Sequence, residues 1–307
     1  MLFRSVGVLG GAFNPITTSA ANLYEIDQSA PGTWTVVTHH LLDHIDLGTE
    51  SIPAFGDIDG DGDLDLVVGT KIEPANQRSG GLYWFENVGG RTAPRFQLRG
   101  HLTVLPAFHQ APALGDLDGD GLPDLVLGQF QDAVGWYRNT GASGGGRFVL
   151  VDSAMIRLPR GSNGVPELYD IDGDGDFDLF LGDASGRIAF FKNEGSARGP
   201  RFALVSDDYL GVRAGRRAVP RVGDLDRDGV TELVLGSEAA GRPAVFRRLV
   251  RDSALAVALP AYSAPVFADV TGDGVQDLLA GTEGGGIVFF RGGGAREEIF
   301  LPADVEG

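Results

Sequence analysis

Carboxylates alternate with other residues in one short segment of the chain. In "DIDGDGDLDLVVG", residues 57–69, aspartates stand at loop positions 1, 3, 5, 7 and 9, and glycine stands at position 6. Alternate residues of a tight loop can point at one centre, and glycine permits the sharp turn. Hard oxygen donors at this spacing suit Ca²⁺, which takes about six to eight oxygen ligands. Without a cation, the clustered carboxylates would raise one another's pKa.

The same pattern recurs along the chain, always from a proline to a glycine, in residues 53–69, 112–128, 166–182, 220–236 and 265–281. Position 7 varies in side chain, so we expect it to offer its backbone carbonyl. The predicted ligands of up to five Ca²⁺ ions are Asp57, Asp59, Asp61, Asp63 and Asp65; Asp116, Asp118, Asp120, Leu122 and Asp124; Asp170, Asp172, Asp174, Asp176 and Asp178; Asp224, Asp226, Asp228, Val230 and Glu232; and Asp269, Thr271, Asp273, Val275 and Asp277.

The five loops are not equivalent. The first three carry the full set of aspartates. In the fourth, Arg227 replaces a glycine and Glu232 replaces the last aspartate, and in the fifth Thr271 replaces an aspartate. We therefore expect weaker calcium binding at the last two loops. Position 12 is apolar in every copy, whereas an EF-hand needs glutamate there and a helix on each side.

Each loop must be positioned by strands. A short segment opened by proline precedes the loop, an apolar segment such as "DLVVG" follows it, and then come an aromatic segment and a weaker fourth one. Helical periodicity is absent. Four short strands per unit of about fifty residues predict an all-β fold, a β-propeller. A β-sandwich is the alternative, but it gives no reason for the period.

The two chain ends resemble two parts of one unit. "SVGVLGG" (5–11) is similar to the apolar strand, and "ADVEG" (303–307) is similar to "ADVTG" (268–272). Sharing a blade between the termini would close the ring and remove exposed strand edges. The prediction is therefore one propeller domain over residues 1–307 with six blades, from units at about 1–50, 51–109, 110–163, 164–217, 218–262 and 263–307. A last blade of three strands, or a window on a longer seven-bladed chain, is the alternative.

Composition narrows the function classes. The 307 residues carry a net charge of −17 and no cysteine. An acidic chain is a poor partner for nucleic acid, and thiol chemistry is excluded. No apolar run reaches the ~18 residues of a membrane span. Residues 1–20 loosely resemble a secretory signal, but we interpret them as a propeller strand.

The repeated pattern, with Y/W/F-x-N-x-G after it, resembles the FG-GAP/VCBS repeat, whose members include the integrin α-chain propeller and bacterial surface proteins. The resemblance covers nearly the whole chain. It implies a propeller with structural calcium and with ligands bound at the loops of the ring's faces. It says little about function, because members include adhesion modules, lectins, scaffold subunits and lyase domains.

Three other sequence features are weaker candidates for a functional site. "GVLGGAFNP" (7–15) is similar to the phosphate-binding start of nucleotidylyltransferases but lacks their H-x-G-H pair. The histidines could form a metal or acid–base site, but we interpret them as loop residues: His39, His40, His44, His101 and His109. Trp34, Trp84 and Trp136 could line a sugar site; we expect them instead to pack between blades.

The function expected from the sequence is non-enzymatic. A calcium-stabilised propeller would bind another protein, as an adhesion module or as a scaffold subunit of a larger complex. The location would be extracytoplasmic (periplasmic, secreted or cell-surface), because such sites fill at millimolar calcium. A lectin-like carbohydrate binder is the alternative, and a polysaccharide lyase or hydrolase is less favoured.

Overall fold

The strands of this protein form where short apolar, β-branched segments are bounded by aspartate and glycine. The computed structural model describes residues 25–30, 33–38, 47, 50–72, 78–141, 148–159, 161–211, 215–224, 230–237, 244–247, 250–254, 263–281 and 287–290. Apart from one 3₁₀ turn at Tyr209–Gly211, the regular structure in these residues is β. The predicted all-β class is confirmed.

The strands follow one another as antiparallel neighbours within successive sheets. The first sheet is β3 to β6, the second β7 to β10, the third β11 to β14, the fourth β15 to β18, and the fifth β19 to β21. The bounds are β1 Glu25–Ala30, β2 Thr33–Thr38, β3 Ile52–Gly56, β4 Asp65–Gly69, β5 Leu82–Asn87, β6 Phe96–His101, β7 Ala111–Gly115, β8 Asp124–Gly128, β9 Ala133–Asn139, β10 Phe148–Arg157, β11 Val165–Tyr169, β12 Asp178–Gly182, β13 Ile188–Asn193, β14 Phe202–Ser206, β15 Val219–Gly223, β16 Glu232–Gly236, β17 Ala244–Arg247, β18 Val250–Ala254, β19 Ala264–Ala268, β20 Asp277–Gly281 and β21 Ile287–Phe290.

One register holds the first two strands of every sheet together. The strand proline faces the fourth residue of the apolar strand each time, as in the pairs Pro53 with Val68 and Pro265 with Ala280. The loop of alternating carboxylates therefore begins and ends at the same place in each sheet. In all five sheets the second strand is buried along its whole length, which explains its unbroken apolar sequence.

The core lies between neighbouring sheets and along a common axis. One cluster joins the first two sheets, for example through Val67 of the first and Leu125 of the second. The innermost strands also meet: one residue from each forms an apolar cluster of Ile52, Ala111, Val165, Val219 and Ala264. Stacked repeats of this kind bury a continuous core that no single repeat could bury alone.

The fifth sheet packs directly on the first. A Cβ on Gly69 of the first sheet would lie 1.9 Å from the carbonyl oxygen of Gln110, which precedes the second sheet. A Cβ on Gly281 of the fifth sheet would lie equally close, 1.9 Å, to the carbonyl oxygen of Ser51, which precedes the first. Only glycine permits either approach. The junction between the fifth and first sheets thus has the same geometry as the junction between the first and second.

This contact counts against the predicted sixth blade. That blade was expected between the fifth and first sheets, where it would separate Gly281 from Ser51. Its strands at residues 1–24 and 291–307 lie outside the described residues. Strands β1 and β2, also assigned to it, form a separate two-stranded sheet. In the described residues the fifth sheet has three strands.

Candidate metal centre

The first aspartate of each complete loop closes the turn with both carboxylate oxygens. Asp170 accepts hydrogen bonds at Oδ1 from the backbone N–H groups of Gly173 (2.7 Å) and Asp174 (3.2 Å), and at Oδ2 from Gly175 (2.9 Å). Asp57 and Asp116 accept the corresponding three bonds at 2.7–3.2 Å. This carboxylate therefore fixes the loop backbone, a role that its spacing alone did not predict.

The last aspartate of each loop is buried and joins the loop to the sheet. Asp124 is 0% exposed. Its Oδ2 accepts from the N–H of Leu117 at 3.3 Å and from Trp136 Nε1 at 3.1 Å, and its Oδ1 accepts from the N–H of Asn139 at 2.9 Å. Asp65 and Asp178 make the same bonds to the backbone.

An asparagine at the end of the third strand completes this arrangement. The side-chain oxygen of Asn193 accepts from the backbone N–H groups of Gly195 (2.9 Å) and Arg201 (2.8 Å). The backbone N–H of Asn193 donates to Asp178 Oδ1. Asn87 and Asn139 hold the corresponding positions. The sequence interpretation gave these asparagines no role, although their recurrence in "LYWFEN", "VGWYRN" and "IAFFKN" was a usable signal.

Three loops bring carboxylates together at metal-ligand spacing. In each, one oxygen from each of three aspartates lies within 4.8 Å of the others. The trios are Asp57, Asp59 and Asp61; Asp116, Asp118 and Asp124; and Asp170, Asp172 and Asp178. Asp65, Asp120 and Asp174 fall outside these trios, as do the position 7 residues Asp63, Leu122 and Asp176. The clusters could bind a metal ion.

Some carboxylates in and beside these clusters hold their protons more tightly than isolated aspartates, whereas the hydrogen bond from Lys192 lowers the pKa of Asp172. Burial raises the pKa of Asp65 to about 7 and that of Asp124 to about 6. Burial, and then the charge of Asp61, raise the pKa of Asp63 to about 6. The pKa values of Asp59 and Asp178 also rise, with burial as the first cause. The predicted rise is confirmed for these five aspartates, and burial contributes more to it than repulsion does.

Basic side chains on the neighbouring strand distinguish the loops. In the second loop Arg138 Nε lies 2.5 Å from Asp118 Oδ2, and in the third Lys192 contacts Asp172. The equivalent residue beside the first loop is Glu86, which pairs with Arg99 at 2.8 Å. The charge of Glu86 instead adds to the rise in the pKa of Asp59. The first loop is therefore the most negative of the three.

The fourth loop is described in part and the fifth loop in full. In the fourth, residues 225–229, including Asp226 and Asp228, lie outside the described residues; Glu232 is buried. In the fifth, Asp269 Oδ2 accepts from Gly274 N–H at 2.9 Å, and Asp277 accepts from Val270 and Thr271 N–H groups at 3.0 Å. The fifth turn therefore keeps only part of the bonding of the complete loops, because Asp269 Oδ1 is buried without a hydrogen-bond partner, and Thr271 removes one charge.

The other candidate residues do not gather into a site in the described part of the chain. His101 ends an outer strand, exposed, with its ring centroid 4.3 Å from that of Tyr83. His109 is buried before the second sheet, and His39, His40 and His44 lie outside the described residues. Trp84 packs in the core between the first two sheets. Trp136 packs, partly buried, against the core between the second and third. The core interpretation is confirmed for both tryptophans.

Family comparisons agree with this geometry. Residues 51–83 match the FG-GAP repeat, and residues 116–181 and 170–235 match the FG-GAP-like repeat. The chain is an FG-GAP repeat protein. The matched residues contain the first, second, third and fourth loops, and the strand before the second loop, β7, lies outside them. Comparison with curated proteins gave no match.

Among solved structures, this FG-GAP repeat protein is similar to the Tc holotoxin pore of Photorhabdus luminescens. The identity is 21% and the TM-score 0.39, over 91% of this chain and 14% of that one. The chain thus spans about a seventh of that structure's length. No helix within the described residues combines the length and apolar character needed to cross a bilayer.

Proposed function

We propose that this FG-GAP repeat protein is a non-enzymatic, calcium-stabilised propeller that serves as a protein-binding scaffold or adhesion subunit in an extracytoplasmic assembly. One observation carries the proposal. The same carboxylate-closed loop stands at the same register in successive sheets, with three carboxylates converging in each of three loops. Such repetition suits a structural element better than a single reactive centre.

The donor set of the loops fits calcium. The trios offer carboxylate oxygens and no nitrogen or sulfur, which disfavours zinc and copper. Asp63 Oδ1 and Asp176 Oδ1 are buried without a hydrogen-bond partner, so the first and third loops keep oxygen capacity unused. The residues that would hold the ions are the aspartates of the three trios. A bound ion would offset their repulsion and stiffen the turn between two strands.

The scaffold would be a closed ring of the five described sheets. The innermost strands contact one another in chain order, and β19 contacts β3. Arg221 of the fourth sheet donates to the carbonyl oxygen of Pro53 in the first at 3.3 Å, which spans the axis. A closed ring removes sheet edges at the junctions and presents its loops on two faces.

Exposed apolar strands favour a protein partner. The outer strand of the second sheet exposes Val149, Leu150 and Val151 by 40–49%, and that of the third exposes Leu204 and Val205 by 50–60%. Apolar surface of this kind marks protein contacts more often than sugar sites. The lectin-like alternative also loses Trp84 and Trp136 as stacking platforms, because both pack in the core.

Calcium titration of the full chain by calorimetry tests the stabilising role. We expect a tight class of sites from the first three loops, weaker binding at the fifth, and a higher melting temperature with calcium than with magnesium. Absence of calcium binding, or five equal sites, would overturn this assignment. A glycan array and calcium-dependent cross-linking in the native source then separate the partner classes: saturable binding to one glycan would favour the lectin.

A further inference from the structure

One backbone position of the repeat is held in the left-handed region without glycine. It lies three residues before the strand proline. Glu50, His109, Asn163 and Arg217 occupy it, with φ of 54°, 60°, 57° and 59°. The fifth equivalent, Tyr262, lies outside the described residues.

The side chains at this position are costly to keep. A residue other than glycine or asparagine in this conformation costs about 1 kcal/mol or more. Glycine would relieve the strain, and this chain uses glycine freely elsewhere. Four different polar residues stand here instead, beside an otherwise repeated framework. The fold needs the turn, but it does not need these side chains.

The four residues converge on one pocket at the axis. Together with Ser51, Ser237 and Ser263 they line it, and Ile52, Val165, Val219 and Ala264 from the axial apolar cluster form its floor. The pocket precedes the inner strands, whereas the acidic loops follow them, so the two lie at opposite ends of these strands. The enclosed space suits a group of roughly one or two water molecules in size.

Two cations and one carboxylate lie in or beside the pocket: Arg217 and Glu50 line it, and Lys71 is outside the lining. Glu50 contacts both Lys71, at 2.6 Å, and Arg217. His109 is 1% exposed, and its Nδ1 has no hydrogen-bond partner. Asn163 Oδ1 is also buried without a partner. Burial, and then the charges of Arg217 and Lys71, lower the pKa of His109 to about 3, so the imidazole is neutral.

We propose that this axial pocket binds a carboxylate group, supplied by an aspartate or glutamate side chain of the partner protein. Two cationic side chains face a single internal carboxylate, and a second carboxylate would balance them. The neutral imidazole and the amide can each turn a donor toward it. The source of the carboxylate rests on the proposed protein-binding function.

Two exposed phenylalanines joined to the backbone beside His109 favour a protein segment over a free acid. Phe108, directly before His109, is 38% exposed, and Phe130 is 56% exposed. Their backbones are joined, because Phe130 N–H donates to the carbonyl oxygen of Phe108 at 2.8 Å. Apolar surface beside the pocket offers nothing to a small anion, but it offers burial to the residues that flank an acidic side chain.

The test follows the imidazole resonances of the calcium-loaded full chain by NMR. Acetate and a blocked Phe-Asp-Gly peptide are titrated, with the Phe-Asn-Gly peptide as the matched probe. We expect a saturable shift of His109 but not of His101, and about tenfold tighter binding of the aspartyl peptide than of the asparaginyl one.

Three variants separate the role of the pocket from folding. Asn163→Gly keeps the left-handed backbone without strain, and Arg217→Gln removes one cation; each should weaken binding about tenfold. Arg157→Gln, an exposed arginine paired with Asp132, should leave it unchanged. Folding of each variant is checked by its calcium-dependent melting curve.

The outcomes are distinct. An equal response to chloride, or no response to either carboxylate probe, would overturn the pocket's assignment even if calcium still stabilised the chain. Acetate binding with no gain from the peptide would assign the pocket to a free small carboxylate and overturn the partner segment as its source. Failure of the proposed function would instead appear as absent calcium binding.

Discussion

The two ends of the inner strands differ in how far their side chains repeat from sheet to sheet. The exit is the end followed by the acidic loop, and the entry is the end preceded by the left-handed residue. At the exit, the loop carries nearly the same residues in every sheet, and in the first three sheets its first and last aspartates make the same hydrogen bonds. At the entry, a single strained position carries glutamate, histidine, asparagine or arginine. The backbone repeats at both ends, but the side chains repeat only at the exit.

The difference separates structure from recognition. A contact that each sheet needs for its own stability must be repeated in each sheet, as the closing aspartates are. A site on the axis is built once by all sheets together, so each can contribute a different group. Repeats therefore indicate stability where they agree, and candidate recognition where they differ at a costly position.

The largest loss of stability should come from an axial position where the side chains differ between sheets but still serve the fold. Glu167 and Arg221 differ from their equivalents in other sheets, yet they form a buried ion pair at 3.1 Å, and Arg221 is 3% exposed. Glu167→Ala should lower the free energy of unfolding by about 3–5 kcal/mol, because it leaves a buried cation without its partner. Urea denaturation measures this.

The pair also provides its own rescue. Glu167→Leu combined with Arg221→Met should recover most of the loss, since it removes both buried charges. Glu194→Ala, which breaks an exposed pair with Arg201, serves as the control and should change stability by about 0.5 kcal/mol or less. If Glu167→Ala lowers the free energy of unfolding no more than Glu194→Ala does, the buried ion pair on the axis does not stabilise the fold.

The next effect compares the two ends directly. Asp170→Ala removes three hydrogen bonds to the loop backbone, so about 3 kcal/mol of stability should be lost even without calcium. Asn163→Gly should stay within about 0.5 kcal/mol of the parent chain. Thermal melts in chelator measure both, with Asp152→Ala on an exposed strand as the control. Equal losses at the two ends would remove the distinction between them.

The exit loops could be predicted from the sequence and the entry pocket could not. Alternating carboxylates, glycine and the flanking apolar strand specify a cation loop through local chemistry, so converging carboxylates were expected, although in five loops with five ligands each rather than in three trios. The approach of Gly281 to Ser51 depends on how strongly each sheet twists against the next, which no local pattern records. No role was predicted for the entry position from the sequence. Its polar character in four copies, three residues before proline, was the missed signal.

The third effect concerns pH and the entry pocket. The pKa of His109 is about 3 in the folded chain and about 6.5 when unfolded, so the unfolded state binds more protons between these values. Stability from His109 is therefore complete above about pH 6.5 and falls by up to ~1.4 kcal/mol per pH unit below it. Denaturation of the parent chain and of His109→Gln over this range should give curves that converge as pH falls. A constant difference between the two curves over this range would contradict a buried, neutral imidazole at His109.

The smallest predicted effect is a difference in calcium affinity between the exit loops. Lys192 contacts Asp172 of the third loop, so a calcium ion must compete with this ammonium group for the carboxylate. Beside the first loop the equivalent residue is Glu86, which attracts a cation instead. Lys192→Met should therefore tighten calcium binding at the third loop by about three- to tenfold and bring it closer to the first. Calorimetry at low salt measures the change, because screening weakens the competition. Arg187→Met, which alters a basic residue outside the loop, should leave the affinity unchanged. If both variants shift calcium binding alike, net charge rather than the Lys192–Asp172 contact sets the ranking, and the loops differ only through their own aspartates.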